Sequence, residues 1–161
     1  MNYFTIFSFS SLAISIVLIL IVYLRSRRTL GKRTQITFES DKFNTTPADN
    51  ENYNRLISLL DNDRVFTNPN LTVNDLSGFL ELHPKKVSQL INHYAGMNFS
   101  QLVNKYRIAE SKKLLSDVKY SNITMHGIAK EAGFNSRSVF NLVFKTEVGQ
   151  TPSDFKKQAL Q

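Results

Sequence analysis

Apolar residues follow two different patterns along this chain. Residues 3–24 form an uncharged run that is rich in Phe, Ile, Leu and Val. After residue 50, apolar residues recur at intervals of three and four, the spacing of amphipathic helices, in short segments separated by turn-forming residues. The two patterns predict an all-α protein: a single N-terminal transmembrane helix, followed by two helix-turn-helix subdomains joined by a long linker helix.

The run at residues 3–24 has the length and the flanks of a membrane anchor. As a helix it would extend about 33 Å, enough to cross a hydrocarbon core of about 30 Å. Tyr3 and Tyr23 lie near its ends, where aromatic rings favour the interface. Basic residues then follow without an acidic one: Arg25, Arg27, Arg28, Lys32 and Arg33. The positive-inside rule predicts a single pass through the cytoplasmic (inner) membrane, with the C-terminal domain in the cytoplasm.

A cleaved signal peptide is the main alternative for this segment. Such a peptide carries positive charge before its apolar run and a small-residue cleavage site after it. Here the basic residues come after the run, and Leu24-Arg25-Ser26-Arg27 offers no such site. We therefore expect an anchor, while a buried hydrophobic helix and a fragment of a larger membrane domain stay open as alternatives.

Residues 25–50 are predicted to be a basic juxtamembrane segment and linker, and residues 51–158 the folded domain. Asp49 or Asn50 is the expected N-cap of a first helix that covers about residues 51–64. The apolar residues of that helix lie on one stripe, which we expect to pack in the core: Tyr53, Leu56, Ile57, Leu59 and Leu60.

A helix-turn-helix pattern follows this first helix. Thr72 is the expected N-cap of a short helix, and Asp75 is favourable near its positive end. Glu81-Leu82-His83 predicts a tight turn, and Pro84 suits the first position of the next helix, where no amide donor is needed. Gly96 is placed to end that second helix. A short helix, a tight turn and a second helix together form a helix-turn-helix unit.

The same pattern occurs a second time. Thr124 matches Thr72, and Ile128 matches Leu76, at a separation of 52 positions. After the turn the separation becomes 53, which indicates one extra residue in the second turn. The pairs at this separation are Val87 with Phe140, Leu90 with Val143, Ile91 with Phe144, Gly96 with Gly149, and Leu102 with Phe155. Residues 99–116 predict one long helix between the copies, which would fix the distance between the two units.

This layout resembles the DNA-binding domain of the AraC/XylS family of bacterial transcription regulators, over about residues 52–158. The strongest similarity covers residues 128–140, Ile-Ala-Lys-Glu-Ala-Gly-Phe-Asn-Ser-Arg-Ser-Val-Phe, and continues through Phe144-Lys145 and Gly149-Gln150-Thr151-Pro152. The matching residues elsewhere are Asp75, Leu76, Val87, Ser88, Gly96, Phe99, Arg107, Ala109, Leu114 and Leu115. The resemblance implies seven helices in two subdomains, with both recognition helices entering successive major-groove segments on one face of DNA.

Three departures from the family pattern affect the expected base contacts. The family often has Arg late on each recognition helix, where this chain has Gln89 and Leu142. Leu142 has no donor for a guanine edge or a phosphate. His83 stands where Ser commonly caps the first recognition helix. These changes bear on particular contacts with DNA more than on the fold.

The candidate DNA-binding residues are the polar residues on the outer faces of the two recognition helices. On the first helix they are Lys85, Ser88, Gln89 and Asn92, and on the second they are Asn135, Ser136, Arg137, Ser138 and Asn141. Gln89 suits adenine and Arg137 suits guanine. Lys86, Lys145 and Ser136 are predicted to hold phosphates. Because the two helices differ in sequence, we predict an asymmetric site with two blocks one turn apart, about 34 Å.

The charge balance is compatible with a polyanionic partner, although a solvated basic surface explains charge alone equally simply, and no catalytic motif is evident. The chain has 20 basic and 13 acidic residues, and residues 71–161 hold twelve and seven of them. It has no Cys, and His83, His93 and His126 are scattered without paired ligand spacing, so we predict no metal site. No phosphate-binding loop, serine elbow or carboxylate pair is present, so we predict no catalytic residue and no cofactor.

The predicted partners are double-stranded DNA and, through residues 3–24, the membrane. RNA polymerase and a membrane sensor protein are further candidates, and no small-molecule site is evident from the sequence. Two alternatives stay open: a membrane-anchored helical module that binds another protein, and a truncated regulator with little specific DNA binding. The absence of a sensing domain within residues 34–50 motivates the second alternative.

Overall fold

Seven α-helices account for most of residues 45–160, the part of the chain that the computed structural model describes. They are α1 (Pro47–Asp61), α2 (Val73–Leu80), α3 (Pro84–Leu90), α4 (Phe99–Ser116), α5 (Met125–Glu131), α6 (Arg137–Val148) and α7 (Pro152–Ala159). No strand occurs among these residues, so the predicted all-α class is confirmed for them. The predicted transmembrane helix at residues 3–24 lies outside the described residues, and none of the seven helices is long and apolar enough to span a bilayer.

The helix starts follow from capping residues in the sequence. Thr72 and Thr124 are N-caps, as predicted, and their side chains accept hydrogen bonds from the backbone amides of Asp75 and Gly127. Asp75 also accepts a hydrogen bond from the backbone amide of Thr72 at 2.7 Å, which completes a capping box. Asn98 forms the same arrangement at the start of the long helix α4, which runs over the predicted residues. Each such cap stabilises its helix by about 1 kcal/mol.

The first helix begins earlier than the sequence predicted. Its N-cap is Thr46 instead of Asp49 or Asn50, and the helix ends at Asp61 instead of continuing to Arg64. Thr46, Pro47 and Asp49 form a capping box with proline at the first helical position, and this combination fixes the start. Residues 47–50, predicted to be linker, therefore belong to the helix.

Two hydrophobic cores share α4. Leu102 and Val103, near its start, pack into the first core with residues from α1, α2 and α3, including Leu56, Leu76 and Val87. Three residues further along α4, Ile108, Leu114 and Leu115, pack into the second core. They meet Ile128 of α5 and Phe140 and Phe144 of α6 there. The predicted pair of helix-turn-helix subdomains on one linking helix is confirmed.

The connecting loop, residues 62–72 between α1 and α2, touches both subdomains. Arg107 on α4 donates from Nε to the Phe66 carbonyl oxygen and from Nη2 to the Asn68 carbonyl oxygen, both at 2.8 Å. Gly133, in the turn of the second unit, packs so closely that an added Cβ would clash with the Phe66 carbonyl oxygen and lie 2.8 Å from the Thr67 Cα. The loop therefore lies between α4 and the second turn.

The two turns differ by one residue, as the repeat predicted. Glu81 and Gly133, which are 52 positions apart, both adopt left-handed backbone, with φ of 56° and 89°. His83 and Ser136, which are 53 positions apart, are the N-caps of the two recognition helices α3 and α6. Asn135 is therefore the extra residue. Its side chain donates to the Pro69 carbonyl oxygen at 2.9 Å, so the insertion contacts the connecting loop.

Candidate nucleic-acid interface

The first recognition helix combines α3 with a wider π turn. His83 caps α3: its Nδ1 accepts a hydrogen bond from the backbone amide of Lys85 at 3.2 Å. The chain continues through a π turn over Ile91–Ala95 and ends at Gly96, where φ is 66°. Val87, Leu90 and Ile91 are fully buried. His83 thus takes the capping position that serine commonly occupies in the family, and the helix docks through the apolar face that the sequence predicted.

The predicted contacts on this helix differ in exposure. Lys85 and Asn92 are exposed, whereas Ser88 and Gln89 are half-buried. Lys85 lies in the first turn, next to the capped start. Side chains in that first turn are the ones that reach base edges when a recognition helix enters the major groove. Lys85 on α3 and Asn92 in the π turn are therefore the more accessible pair on the first recognition helix.

Lys86 makes a structural contact that the sequence did not reveal. Its Nζ lies 2.6 Å from Asp49 Oδ1, and Asp49 is only 2% exposed. Asp49 Oδ2 also accepts a hydrogen bond from the backbone amide of Thr46. The Lys86 hydrogen bond, together with that from Thr46, holds the pKa of the Asp49 carboxyl below its usual value. Lys86 therefore joins α3 to the capping box of α1, and its predicted phosphate contact would compete with this ion pair.

Two of the candidates on the second recognition helix also support the fold. Ser136 is the N-cap of α6, and its hydroxyl accepts a hydrogen bond from the backbone amide of Val139 at 3.2 Å. Asn135 precedes the helix and donates to the Pro69 carbonyl oxygen. Both side chains are therefore held close to the start of α6, which is the end that approaches the bases in helix-turn-helix complexes.

The remaining candidates form one polar face on α6. Arg137, Ser138, Asn141 and Lys145 are all exposed. Asn141 lies four residues after Arg137, and Lys145 four residues after Asn141, so these three occupy neighbouring positions on the helix surface. Phe140 and Phe144, on the same helix, are fully buried. The arrangement offers cationic and amide donors of the kind that bind guanine, adenine and phosphate.

Sequence reasoning missed two exposed apolar residues on α6. Val139 is 50% exposed and Leu142 is 69% exposed. Leu142 was identified as a departure from the family pattern but not as a contact residue. Its spacing from the buried Phe140 and Phe144 was the available signal, because residues two positions from a buried helical residue point away from the core.

Comparisons with known proteins agree with this geometry. A family described as a helix-turn-helix domain matches residues 76–158, which is more than half of the chain. A relative from Bacillus subtilis (strain 168), the uncharacterized HTH-type transcriptional regulator YisR, is 33% identical over 86 residues. The aligned segment covers 53% of this chain and 29% of that relative, so this chain spans less than a third of the relative's length.

Solved structures show the same fold at low sequence identity. An AraC-type DNA-binding domain-containing regulator from Chromobacterium violaceum superposes with a TM-score of 0.60 at 17% identity, over 72% of this chain and 98% of the other. The DNA-binding domain of AdpA, solved in complex with a target DNA, gives 0.58 at 13% identity, over 66% of this chain and 90% of the other. Together with the match at residues 76–158, these similarities show that the chain belongs to the AraC-type family of helix-turn-helix transcription regulators.

Proposed function

We propose that this chain is a sequence-specific transcription regulator that binds one asymmetric DNA site with two recognition helices, α3 and α6. One observation carries the proposal: α3 and α6 each pack into a hydrophobic core to which the shared helix α4 also contributes. A recognition helix entering the major groove contacts about one half-site, and two half-sites on one face of DNA are one turn apart. A single chain then binds two half-sites, which form the two blocks of one DNA site.

The asymmetry of the site follows from the two helix surfaces. The first recognition helix, α3 with its π turn, presents Lys85 and Asn92, whereas α6 presents Arg137, Asn141 and Lys145. Different donors select different base pairs, so the two blocks have different sequences. The printed description of AdpA, a DNA-binding domain in complex with a target DNA, supports DNA as the partner of this fold.

Membrane tethering is a second part of the proposal and rests on the sequence alone. The uncharged residues 3–24 and the basic residues that follow them favour a single pass with the DNA-binding domain in the cytoplasm. The regulator would then bind DNA close to the inner membrane. Resistance of the full chain to alkaline carbonate extraction supports this part, whereas release into the soluble fraction contradicts it.

Selection from random duplexes tests the DNA-binding part. The full chain, kept in solution with a nonionic detergent, is incubated with a random duplex pool at several salt concentrations, and the bound DNA is sequenced. We expect an asymmetric two-block site whose affinity falls steeply with salt, because binding releases counterions from the phosphates. Weak binding without sequence preference would support a truncated regulator, and no binding at any salt would support a protein-interaction module.

Two variants with matched charge sharpen this experiment. Arg137→Ala removes one exposed cation from α6 and is expected to relax the sequence preference within one block only. Arg55→Ala removes one exposed cation from α1, which lies outside both helix-turn-helix units, and is expected to leave the selected site unchanged. Equal effects of the two substitutions would contradict the assignment of α6 as a recognition helix.

A further inference from the structure

Two exposed apolar side chains lie on α6 beside its candidate DNA-binding residues. Val139 and Leu142 are 50% and 69% exposed, and they are three residues apart on the same helix. Residues at this spacing are neighbours on a helix surface, so the two side chains form one apolar patch. We call it the Val139–Leu142 patch.

This patch has no part in the packing of the protein. The second core receives Phe140 and Phe144, which are fully buried, and the partly buried Val143. Val139 and Leu142 lie outside both hydrophobic cores. Fold stability therefore does not account for large apolar side chains at these two positions.

Polar and cationic residues border the patch at Leu142. Ser138 lies four residues before Leu142, and Lys145 lies three residues after it, so both are its neighbours on the helix surface. Arg137 and Asn141 are also exposed on this helix. The phosphates of a DNA groove complement the cationic Lys145 beside the patch, whereas an apolar side chain suits base edges rather than phosphates.

We propose that the Val139–Leu142 patch recognises the C5-methyl groups of thymine, so that the DNA block bound by α6 contains thymine at the contacted positions. This inference rests on the proposed DNA-binding function and adds a specificity determinant to it. The thymine methyl is the apolar group that the major groove presents, and apolar side chains contact it there. An arginine at position 142 would favour a guanine edge instead.

The equivalent positions in the first helix-turn-helix unit indicate that methyl recognition is confined to the DNA block bound by α6. At a separation of 53 positions, Val139 corresponds to Lys86 and Leu142 to Gln89 in the first unit. Both of those residues are polar, and Lys86 is paired with Asp49. The first recognition helix has no apolar patch at the equivalent positions, so methyl recognition is expected only in the α6 block.

Replacing thymine by deoxyuridine tests this inference, because the exchange removes the C5-methyl group and keeps the base pair. Binding of the full chain in detergent is measured on the selected site, with deoxyuridine placed in either block. In the α6 block we expect the affinity to fall by about fourfold for each contacted methyl group, since burying one such group stabilises by about 0.8 kcal/mol. In the α3 block we expect a change of less than about twofold, because no methyl contact is lost there.

Leu142→Ala completes a double-substitution cycle. The variant is expected to bind the thymine site more weakly than the parent protein and to lose most of its sensitivity to deoxyuridine in the α6 block. Val118→Ala is the control, because Val118 is 73% exposed but lies outside α6. It is expected to keep both the affinity and the sensitivity.

Three outcomes overturn the inference. If a selected site is bound but deoxyuridine in the α6 block has no effect, methyl recognition is wrong while the proposed function stands. If Leu142→Ala leaves DNA affinity unchanged, the patch serves another partner, such as a protein. If no specific site is selected at all, the proposed function fails and this inference fails with it.

Discussion

Asn135 donates a hydrogen bond from Nδ2 to the carbonyl oxygen of Pro69 at 2.9 Å, across a sequence separation of 66 positions. Asn135 is the residue by which the second turn exceeds the first, and Pro69 belongs to the connecting loop. Arg107 and Gly133 contact the same loop at Phe66, Thr67 and Asn68. The loop therefore joins the second helix-turn-helix unit to α4, and the orientation of α6 depends on these contacts.

Substituting Arg107 is expected to lower the stability of the fold. It is also expected to make DNA binding less sensitive to the number of base pairs between the two blocks. Arg107→Gln removes two charge-assisted hydrogen bonds from a partly buried guanidinium, and we expect the free energy of unfolding to fall by about 2 kcal/mol. Urea denaturation measures this change. The variant is also expected to tolerate one extra base pair between the DNA blocks better than the parent protein, because α6 is less firmly oriented.

Lys105→Gln is the control for this substitution. Lys105 is exposed on the same helix, and we expect its replacement to change the unfolding free energy by less than about 0.5 kcal/mol. Equal effects at positions 105 and 107 would show that the contacts to Phe66 and Asn68 contribute nothing.

The two left-handed turn residues predict opposite responses to substitution. Gly133→Ala places a Cβ against the Phe66 carbonyl oxygen at a φ of 89°, so we expect it to lower the unfolding free energy by about 2 kcal/mol or more. Glu81→Gly removes a side chain at a φ of 56° and is expected to raise it by about 0.5 kcal/mol. Thermal unfolding of both variants measures the difference. A more stable Gly133→Ala protein would contradict the close approach of the connecting loop.

The ion pair between Lys86 and Asp49 predicts a loss of stability in acid. The pKa of Asp49 in the folded protein is lowered from 3.8, mainly by its hydrogen bond with Lys86. Its contribution is therefore complete above the unfolded value and is lost as the pH falls through the folded pKa. We expect Asp49→Asn to reduce the slope of the unfolding free energy against pH in acid, around and below the unfolded pKa. Urea midpoints between about pH 5 and pH 2 measure this slope.

A double-variant cycle distinguishes the pair from the two separate residues. If the pair acts as the structure indicates, Asp49→Asn combined with Lys86→Gln destabilises less than the sum of the single substitutions. Strict additivity would mean that the 2.6 Å contact between Nζ and Oδ1 has no energetic consequence.

Lys145 and Lys86 are expected to differ in the salt dependence of DNA binding. Lys145 is exposed on α6, so Lys145→Gln should reduce the slope of log affinity against log salt by about 0.9, the value for one phosphate contact. Lys86 is held by Asp49, so Lys86→Gln should reduce the slope by much less. Affinities at several salt concentrations measure both slopes. A larger effect at Lys86 would mean that DNA displaces the carboxylate.

Local sequence patterns were sufficient for the helices and for the repeat. The caps at Thr72 and Thr124 and the span of α4 depend on residues within a few positions of each other, and all were predicted correctly. The start of α1 was misplaced because Thr46 and Asp49 are both good capping residues and either can begin a helix. Capping propensity alone does not choose between them.

Contacts across long sequence separations could not be predicted in this way. The ion pair between Lys86 and Asp49 and the hydrogen bond between Asn135 and Pro69 require the tertiary packing of α1, the connecting loop and the two units. For this reason the sequence predicted the two helix-turn-helix units but not which of the candidate DNA-binding residues also make contacts within the fold.

Inserting base pairs between the two blocks of the selected site tests the central claim most directly. An insertion of five base pairs rotates one block by about half a turn of the DNA helix, so α3 and α6 can no longer reach both blocks. Titration of the full chain against the selected and the expanded site measures the consequence. If one chain binds through two helices fixed on α4, the affinity falls by at least about tenfold, the loss of one block. An unchanged affinity would contradict binding by two recognition helices.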